Sequence, residues 1–402
     1  MTDNKKISTI HTDRISESGL PLIFSVNSGA PALIGEPGGR TGNLHRASFA
    51  SLSGFQKQAL VASPASGSTW RLVSDEGKNL AGFDAAPTPL GYFSAGLVAA
   101  YMSEACALAK QRGADASEIR LTLDNYYLMA GSMQRRDVVS TALSPELTVE
   151  IQSTETSTQW LQLVAEAVAT TPLNGLVRNC TDGRFRLTHN NEAIDPAHLP
   201  LVEGPLVQPV LDNEASPTSD GPTLLTAIGP SPPVDTPVRR ARTESLKSST
   251  DGLLVHVAAR AIRRPDGLIE VRQQFHAPAG TEWLFLVANP SDGVDTGIAP
   301  DANSLATAGI GFCLMTQFDF LSRAIRPQPI GYEIIQDTYS SPGGATSATG
   351  KISDSGSIET HIHMTADAGK EQILELVTLA ERACFLHALC KTELKPKIRI
   401  RS

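Results

Sequence analysis

The amino-acid sequence predicts an α+β protein made of two copies of one domain. A segment rich in Pro, Ser, Thr and Gly, residues 203–250, divides the chain and lacks sustained periodicity, as is typical of a linker. The stretches on either side, residues 21–202 and 251–402, show the same succession of strand and helix patterns. A polar tail, residues 1–20, precedes them. Because 402 residues suit two domains, we expect a tandem duplication.

The patterns of the first stretch have ordinary local causes. Alternating apolar residues predict strands, and an apolar stretch from Leu90 to Arg112, followed by Gly113, predicts a helix with a glycine stop. In chain order the predicted elements are the strands KQALVAS and TWRLVSD, the apolar helix, the strands IRLTLDNYYLMA and LTVEIQST, the helix STQWLQLVAEAVATT and the strand RFRLTH.

The second stretch repeats this order. Its predicted elements are the strands GLLVHVAARAI and LIEVRQQFHAP, an apolar helix containing SLATAGIGFCLM, the strands IGYEIIQDTYS and IETHIHMTAD, the helix KEQILELVTLAERACFLHALC and the strand PKIRIRS. Cys313 follows Ala100 by 213 positions, and Cys384 follows Thr171 by the same 213. A repeat of about 150 residues is too long for a solenoid and has the size of a domain.

Composition narrows the class of protein and its partners. Apolar residues make up 41% and charged residues 19% of the chain, which is typical of a soluble globular protein. The net charge of -8 argues against nucleic-acid or membrane partners. The polar N-terminus lacks the apolar stretch of a signal peptide, so we expect a cytoplasmic location. Five cysteines without a CxxC or zinc-like spacing predict neither a disulfide framework nor a metal, and no cofactor is expected.

Two cysteines are the candidates for chemistry. If the helices that carry Cys313 and Cys384 pack together, the two thiols can meet, and such a pair can cycle through a disulfide. A reactive thiol requires a nearby cation or hydrogen-bond donors, for which Arg263 and Arg264 in AIRRPDG are the obvious candidates. His387, one helical turn after Cys384, can hold or relay a proton, or it can be an ordinary structural histidine. Cys390 is expected to be an inert thiol on another helix face.

These cysteines lie in motifs that resemble those of the OsmC/Ohr family of thiol-dependent peroxidases. DANSLATAGIGFC resembles the family motif N-P-E-x-L-x-x-A-x-x-x-C through Leu305, Ala308, Gly309 and Cys313, and TPLGYFSAGLVAA resembles it with Ala100 in place of the cysteine. The second motif, A-x-x-x-C-P, is similar to AERACF around Cys384 and to AVATTP around Thr171.

The resemblance implies a fold and an activity. Family members are homodimers with sites at the subunit interface, so the implied architecture is a fused pseudo-dimer in which two β-sheets wrap around paired central helices. One site keeps both thiols, and its twin has lost them. The family glutamate is replaced by Asn303 in the second stretch and by Leu90 in the first, and the family arginine is nearest to Arg264. An insertion at residues 279–302 is predicted to form a lid or a wall of the site.

Three functions follow as hypotheses. In the first, Cys313 attacks the distal oxygen of a small apolar organic hydroperoxide, Cys384 closes a disulfide, and an external dithiol reduces it. In the second, the same pocket serves a catabolic hydrolase or lyase with Cys313 as nucleophile. In the third, the protein binds a small molecule without catalysis. A further homo-oligomer is left open.

Overall fold

The computed structural model describes residues 11–26, 43–63, 67–151, 157–196, 198–210, 217, 222–234, 253–289, 297–325 and 329–401. Much of the predicted linker and half of the predicted tail therefore lie outside the described residues. The fold is mixed α+β, with two large sheets and buried helices between them.

The bounds of the elements are as follows. The helices are α1 (Arg14–Ser18), α2 (Pro89–Gln111), α3 (Ser157–Thr170), α4 (Gly175–Arg178), α5 (Ala302–Ile325), α6 (Lys370–Ala383) and α7 (Phe385–Lys391). The strands are β1 (Ile23–Val26), β2 (Asn43–Ser53), β3 (Gln56–Ser63), β4 (Ser68–Ser74), β5 (Ile119–Ala130), β6 (Val139–Ala142), β7 (Glu146–Ile151), β8 (Gly183–His189), β9 (Glu192–Ile194), β10 (Leu225–Pro230), β11 (Leu253–Arg263), β12 (Ile269–Ala277), β13 (Thr281–Val287), β14 (Pro329–Ser340), β15 (Ile358–Ala366) and β16 (Lys397–Arg401).

Two segments predicted to be irregular contain regular structure. In the tail, α1 begins after Asp13, whose carboxylate accepts a hydrogen bond from the backbone N–H of Ser16, and Ile15 is buried. In the linker, β10 pairs antiparallel with β13, so its backbone hydrogen bonds are supplied by the edge of a sheet. Residues 279–302, predicted to be a lid or a wall, contribute β13 to that sheet.

The two sheets share the same order over seven strands, and each combines strands from both stretches of the chain. The first sheet runs β1-β4-β3-β2-β14-β15-β8-β9, and the second runs β10-β13-β12-β11-β5-β7-β16, with β6 pairing β5. The exchanged strands meet at equivalent antiparallel junctions, β2 with β14 and β11 with β5. The pairs β15–β8 and β16–β7 are both parallel. Neither stretch therefore contributes a complete sheet.

The helices α2 and α5 cross in the middle of the molecule at two glycines. Thr88 caps α2 by accepting a hydrogen bond from the Gly91 N–H, and Pro89 fits the first helical turn. A Cβ atom on Gly96 would lie 2.6 Å from the carbonyl oxygen of Ala302, and one on Gly309 would lie 2.8 Å from the Phe93 nitrogen. Because the obstructing atoms are backbone atoms, only glycine permits this close approach.

The same two helices are long and apolar enough to cross a membrane. Within the described part of the chain they are the two candidates, at Pro89–Gln111 and Ala302–Arg323. Their most apolar windows are 94% and 89% buried inside the protein. Both are therefore covered by the two sheets and by each other, as core helices are.

The crossing predicts a specific sensitivity to added volume. We expect Gly309→Ala to lower the free energy of unfolding by about 1–3 kcal/mol, because the methyl group must displace the α2 backbone. Urea unfolding of the full chain measures the effect. Gly331→Ala is the control, since a Cβ at that position meets no atom within 4 Å. Equal stability of the two variants would contradict the close approach.

Candidate active site

A cavity of about 130 Å³ opens between the start of α2 and the middle of α5. Its wall is mainly apolar and is drawn from both stretches of the chain. Cys313 on α5 contributes to this wall and is itself only 2% exposed. Other apolar residues of the wall are Leu80, Leu90, Met129, Met133, Val255, Phe275, Trp283, Phe320 and Phe385.

The thiols of Cys313 and Cys384 lie close together, and both are free. The predicted single helix around Cys384 is interrupted there, because the Cys384 backbone is extended between α6 and α7. Burial raises the pKa of the Cys384 thiol well above its ordinary value, and the adjacent Cys313 sulfur adds to the rise. The backbone N–H groups of Leu386 and His387 oppose it. Cys384 thus lies behind Cys313, which alone of the two lines the cavity.

A third thiol lies in the same region. Burial, followed by the influence of Cys313, raises the pKa of Cys390 to about 12. The hydroxyl of Tyr127 is also buried, and Cys313, Cys384 and Cys390 all act electrostatically on it. The prediction places Cys390 and Cys384 on different faces of one helix. In the structure the helix is interrupted at Cys384, and Cys390 lies close enough to Cys313 for that sulfur to affect its pKa.

His387 contacts Cys384 and lies outside the cavity wall. Its Nδ1 atom is 3.2 Å from the Cys384 Sγ, and its ring stacks on Phe185. Burial lowers the pKa of His387 to about 4, so the imidazole is neutral at pH 7. The histidine can therefore orient the Cys384 thiol, but it is not placed to act on a molecule in the cavity.

The structure does not bring Arg264 or Asn303 to the cavity. Arg264 lies in the turn between β11 and β12, and its guanidinium donates to Asp266 and Glu270. Asn303 lines a separate cavity of about 20 Å³ that also borders His45. Neither side chain belongs to the described wall around Cys313. Leu90, the other residue at the family glutamate position, does belong to it.

A buried ion pair that the sequence analysis missed lies beside Cys313. The Lys57 ammonium donates to the Thr316 hydroxyl at 2.6 Å and is 3.7 Å from the Glu76 carboxylate. The Thr316 hydroxyl in turn donates to Glu76 at 2.6 Å. Burial raises the pKa of Glu76, and Lys57 opposes the rise. Thr316 follows Cys313 by one helical turn, and both Thr316 and Glu76 line the cavity.

Asp319 extends this polar cluster along α5. The hydroxyl of Tyr332 donates to the Asp319 carboxylate at 2.7 Å. Burial raises the pKa of Asp319 to about 6, although the Lys57 charge, the Tyr332 hydrogen bond and Arg323 counteract the rise and Glu76 adds to it. The second Asp319 oxygen is buried and has no hydrogen-bond partner among the described residues.

The equivalent position around Ala100 keeps one of these hydrogen bonds but lacks the three charged side chains. Residues that differ by 213 positions in number occupy equivalent places in the two stretches. For Lys57 the equivalent residue follows from strand pairing, because Lys57 pairs with Ser74 and Ile269 pairs with Val287. There the Ser103 hydroxyl donates to the Asn289 side chain at 2.8 Å, as Thr316 does to Glu76. The residues beside Cys313 and their counterparts are Thr316 and Ser103, Glu76 and Asn289, Asp319 and Cys106, Tyr332 and Ile119, and Lys57 and Ile269. The fold therefore packs without these charges, and only the position with thiols retains them.

Comparison with known proteins leaves the family assignment open. A scan against protein-family models, a search of curated proteins and a search of solved structures each found no match.

The Asp319 carboxyl predicts a defined pH dependence of stability. Its pKa is higher in the folded protein, about 6, than its ordinary value of 3.8, so its stabilising contribution is present below pH 4 and is lost as pH rises through 6. Asp319→Asn keeps the acceptor for Tyr332 but cannot ionise. We expect the variant to gain on the order of 3 kcal/mol over wild type between pH 4 and pH 7.5, measured by urea unfolding at each pH. A constant difference across this range would contradict the raised pKa.

Proposed function

We propose that the protein reduces small organic hydroperoxides through Cys313 and Cys384, as the resemblance to the OsmC/Ohr family implies. One observation carries the proposal. Two free thiols lie close together, one of them faces an apolar cavity, and a buried ion pair is bound to Thr316, one helical turn from that thiol, whereas the counterpart Ala100 has no such pair.

The chemistry balances with two protein thiols and one hydroperoxide. The Cys313 thiolate attacks the distal oxygen, the O–O bond breaks, and the alkoxide leaves as an alcohol after taking up the thiol proton. Cys313 is then a sulfenic acid. Attack by Cys384 on its sulfur releases water and forms a disulfide. An external dithiol exchanges with that disulfide and restores both thiols.

The polar cluster has a role in the first step. Negative charge develops on the departing oxygen, and a fixed positive charge in an apolar surrounding stabilises it. The Lys57 ammonium supplies that charge from behind the cavity wall, where it donates a hydrogen bond to Thr316. Glu76 balances Lys57 when no substrate is present, which makes the buried cation tolerable. In this proposal the pair serves the role that the family resemblance assigns to an arginine and a glutamate.

The surroundings of Cys384 fit a resolving thiol. Its raised pKa keeps it protonated and unreactive before Cys313 is oxidised. Its contact with Cys313 places it for attack as soon as the sulfenic acid forms. The neighbouring N–H groups of α7 and the neutral His387 then stabilise the thiolate that attacks.

The shared strand order supports the pseudo-dimer as the architecture of this site. Lys57 and Glu76 come from the first stretch of the chain, whereas Cys313 and Cys384 come from the second. The first stretch would then be retained because it completes the site of the second, although its own position has lost both thiols.

Oxidation by one equivalent of cumene hydroperoxide tests the proposed reaction. We expect mass spectrometry to show a Cys313–Cys384 disulfide, and stopped-flow kinetics to show one alcohol released per chain. Cys384→Ser should still consume one equivalent and should accumulate a Cys313 sulfenic acid that dimedone traps. Cys180→Ser is the control, because Cys180 is exposed and lies outside the site. Unchanged peroxide consumption in Cys313→Ser would refute the proposal.

Transplanting the residues of the thiol-free position tests the ion pair. Lys57→Ile combined with Glu76→Asn reproduces Ile269 and Asn289, a combination that already packs in this protein. We expect a folded protein whose rate constant for Cys313 oxidation falls about 100-fold, or ~2.7 kcal/mol of transition-state stabilisation.

Ser103→Ala is the matched control for this transplant. It removes a hydroxyl from the thiol-free position and should leave the oxidation rate of Cys313 unchanged. A transplanted variant that is folded and reacts at the wild-type rate would exclude a role for the ion pair.

A further inference from the structure

The charged side chains on the wall of the cavity beside Cys313 are acidic. Its described lining includes the carboxylates of Glu76 and Asp84 and contains no lysine, arginine or histidine. The remaining polar groups are neutral amides and hydroxyls, among them Gln273, Gln317 and Thr281. A substrate that enters therefore meets apolar surface, neutral dipoles and two acids.

Asp84 is held in place from several sides. Its backbone N–H donates to the carbonyl of Glu76, and its carboxylate accepts a hydrogen bond from the Thr281 hydroxyl at 2.7 Å. The residues on either side of it, Phe83 and Ala85, donate their N–H groups to the buried Asp75. Asp84 is therefore a fixed part of the wall. It is partly exposed and follows Phe83, which is 37% exposed, so it lies toward the outer side.

The cation nearest to the cavity is already engaged. Lys57 is fully buried behind the wall and is bound to Thr316 and Glu76. A ligand carboxylate would have to displace Glu76 to reach it. An anionic ligand would thus lose its hydration without gaining a cation as its partner in the described lining and would lie near the negative charge of Asp84.

From these charges we propose that the cavity admits uncharged apolar molecules and excludes those that carry a carboxylate, and that Asp84 determines this specificity. Where it concerns the reaction, this inference rests on the proposed function. The substrates of that reaction are then neutral alkyl or aryl hydroperoxides and hydroperoxide esters. Free-acid hydroperoxides are discriminated against. The selection itself is a property of the cavity and does not require turnover.

A pair of alkylating reagents tests the selection at Cys313 directly. Iodoacetamide and iodoacetate are similar in shape and differ in charge, and the exposed Cys180 in the same chain is an internal reference. Labelling at each cysteine is followed by peptide mass spectrometry in the wild-type protein. We expect the rate ratio of iodoacetamide to iodoacetate to be at least about 10-fold larger at Cys313 than at Cys180.

Asp84→Asn isolates the acid, since the amide oxygen can still accept from Thr281. We expect the ratio at Cys313 to fall at least about threefold in this variant, while the ratio at Cys180 stays constant. Asp137→Asn is the control, because Asp137 is an exposed acid that does not line the cavity. Equal ratios at Cys313 and Cys180 in wild type would overturn the selection, and an unchanged ratio in Asp84→Asn would overturn the role of Asp84.

Turnover of a matched hydroperoxide pair separates this inference from the proposed function. The short-chain 4-hydroperoxy-4-methylpentanoic acid and its methyl ester share the reacting group and differ in the carboxylate. We expect the ester to have a kcat/KM at least about 10-fold higher and the ratio to shrink in Asp84→Asn. Selective labelling of Cys313 without reduction of any hydroperoxide would support the cavity inference and overturn the proposed function. Preference for the free acid would overturn the inference while leaving the proposed function intact.

Discussion

The crossing of α2 and α5 is the constraint on which the rest of the structure depends. Glycine at positions 96 and 309 lets the two backbones approach to distances that no side chain would allow. This contact places the start of α2 against the middle of α5, so Leu90 and Cys313 share one cavity. The two sheets can then cover the helix pair from opposite sides, each with strands from both stretches.

The charged side chains of Lys57, Glu76 and Asp319 are buried near Cys313, and their counterparts near Ala100 are uncharged. Desolvating Lys57, Glu76 and Asp319 is costly, and a buried ion pair seldom recovers that cost in full. The equivalent position has Ile269, Asn289 and Cys106, which are also buried. Packing at that position therefore does not require the three charges, which agrees with the role proposed for the ion pair near Cys313.

The break between α6 and α7 produces a second asymmetry, between the two thiols. The extended backbone of Cys384 places its sulfur near the first N–H groups of α7 and near Cys313. One sulfur borders a cavity and the other lies behind it with His387. Among the described residues, Cys313 therefore borders the cavity, whereas Cys384 does not.

The sequence by itself determined the order of the elements and the two apolar helices, because periodicity and turn residues act over short distances. It also determined the 213-residue relation that singles out Cys313 and Cys384, since that relation is read by comparing one stretch of the chain with the other. It did not indicate Lys57 or Glu76, although comparing Glu76 with Asn289 at the same shift would have shown the change of charge. It also favoured Arg264 and Asn303, which the structure places elsewhere. Only the tertiary structure decided these points, because the exchange of strands at β2–β14 joins residues that lie nearly 300 positions apart, and no local pattern records that pairing.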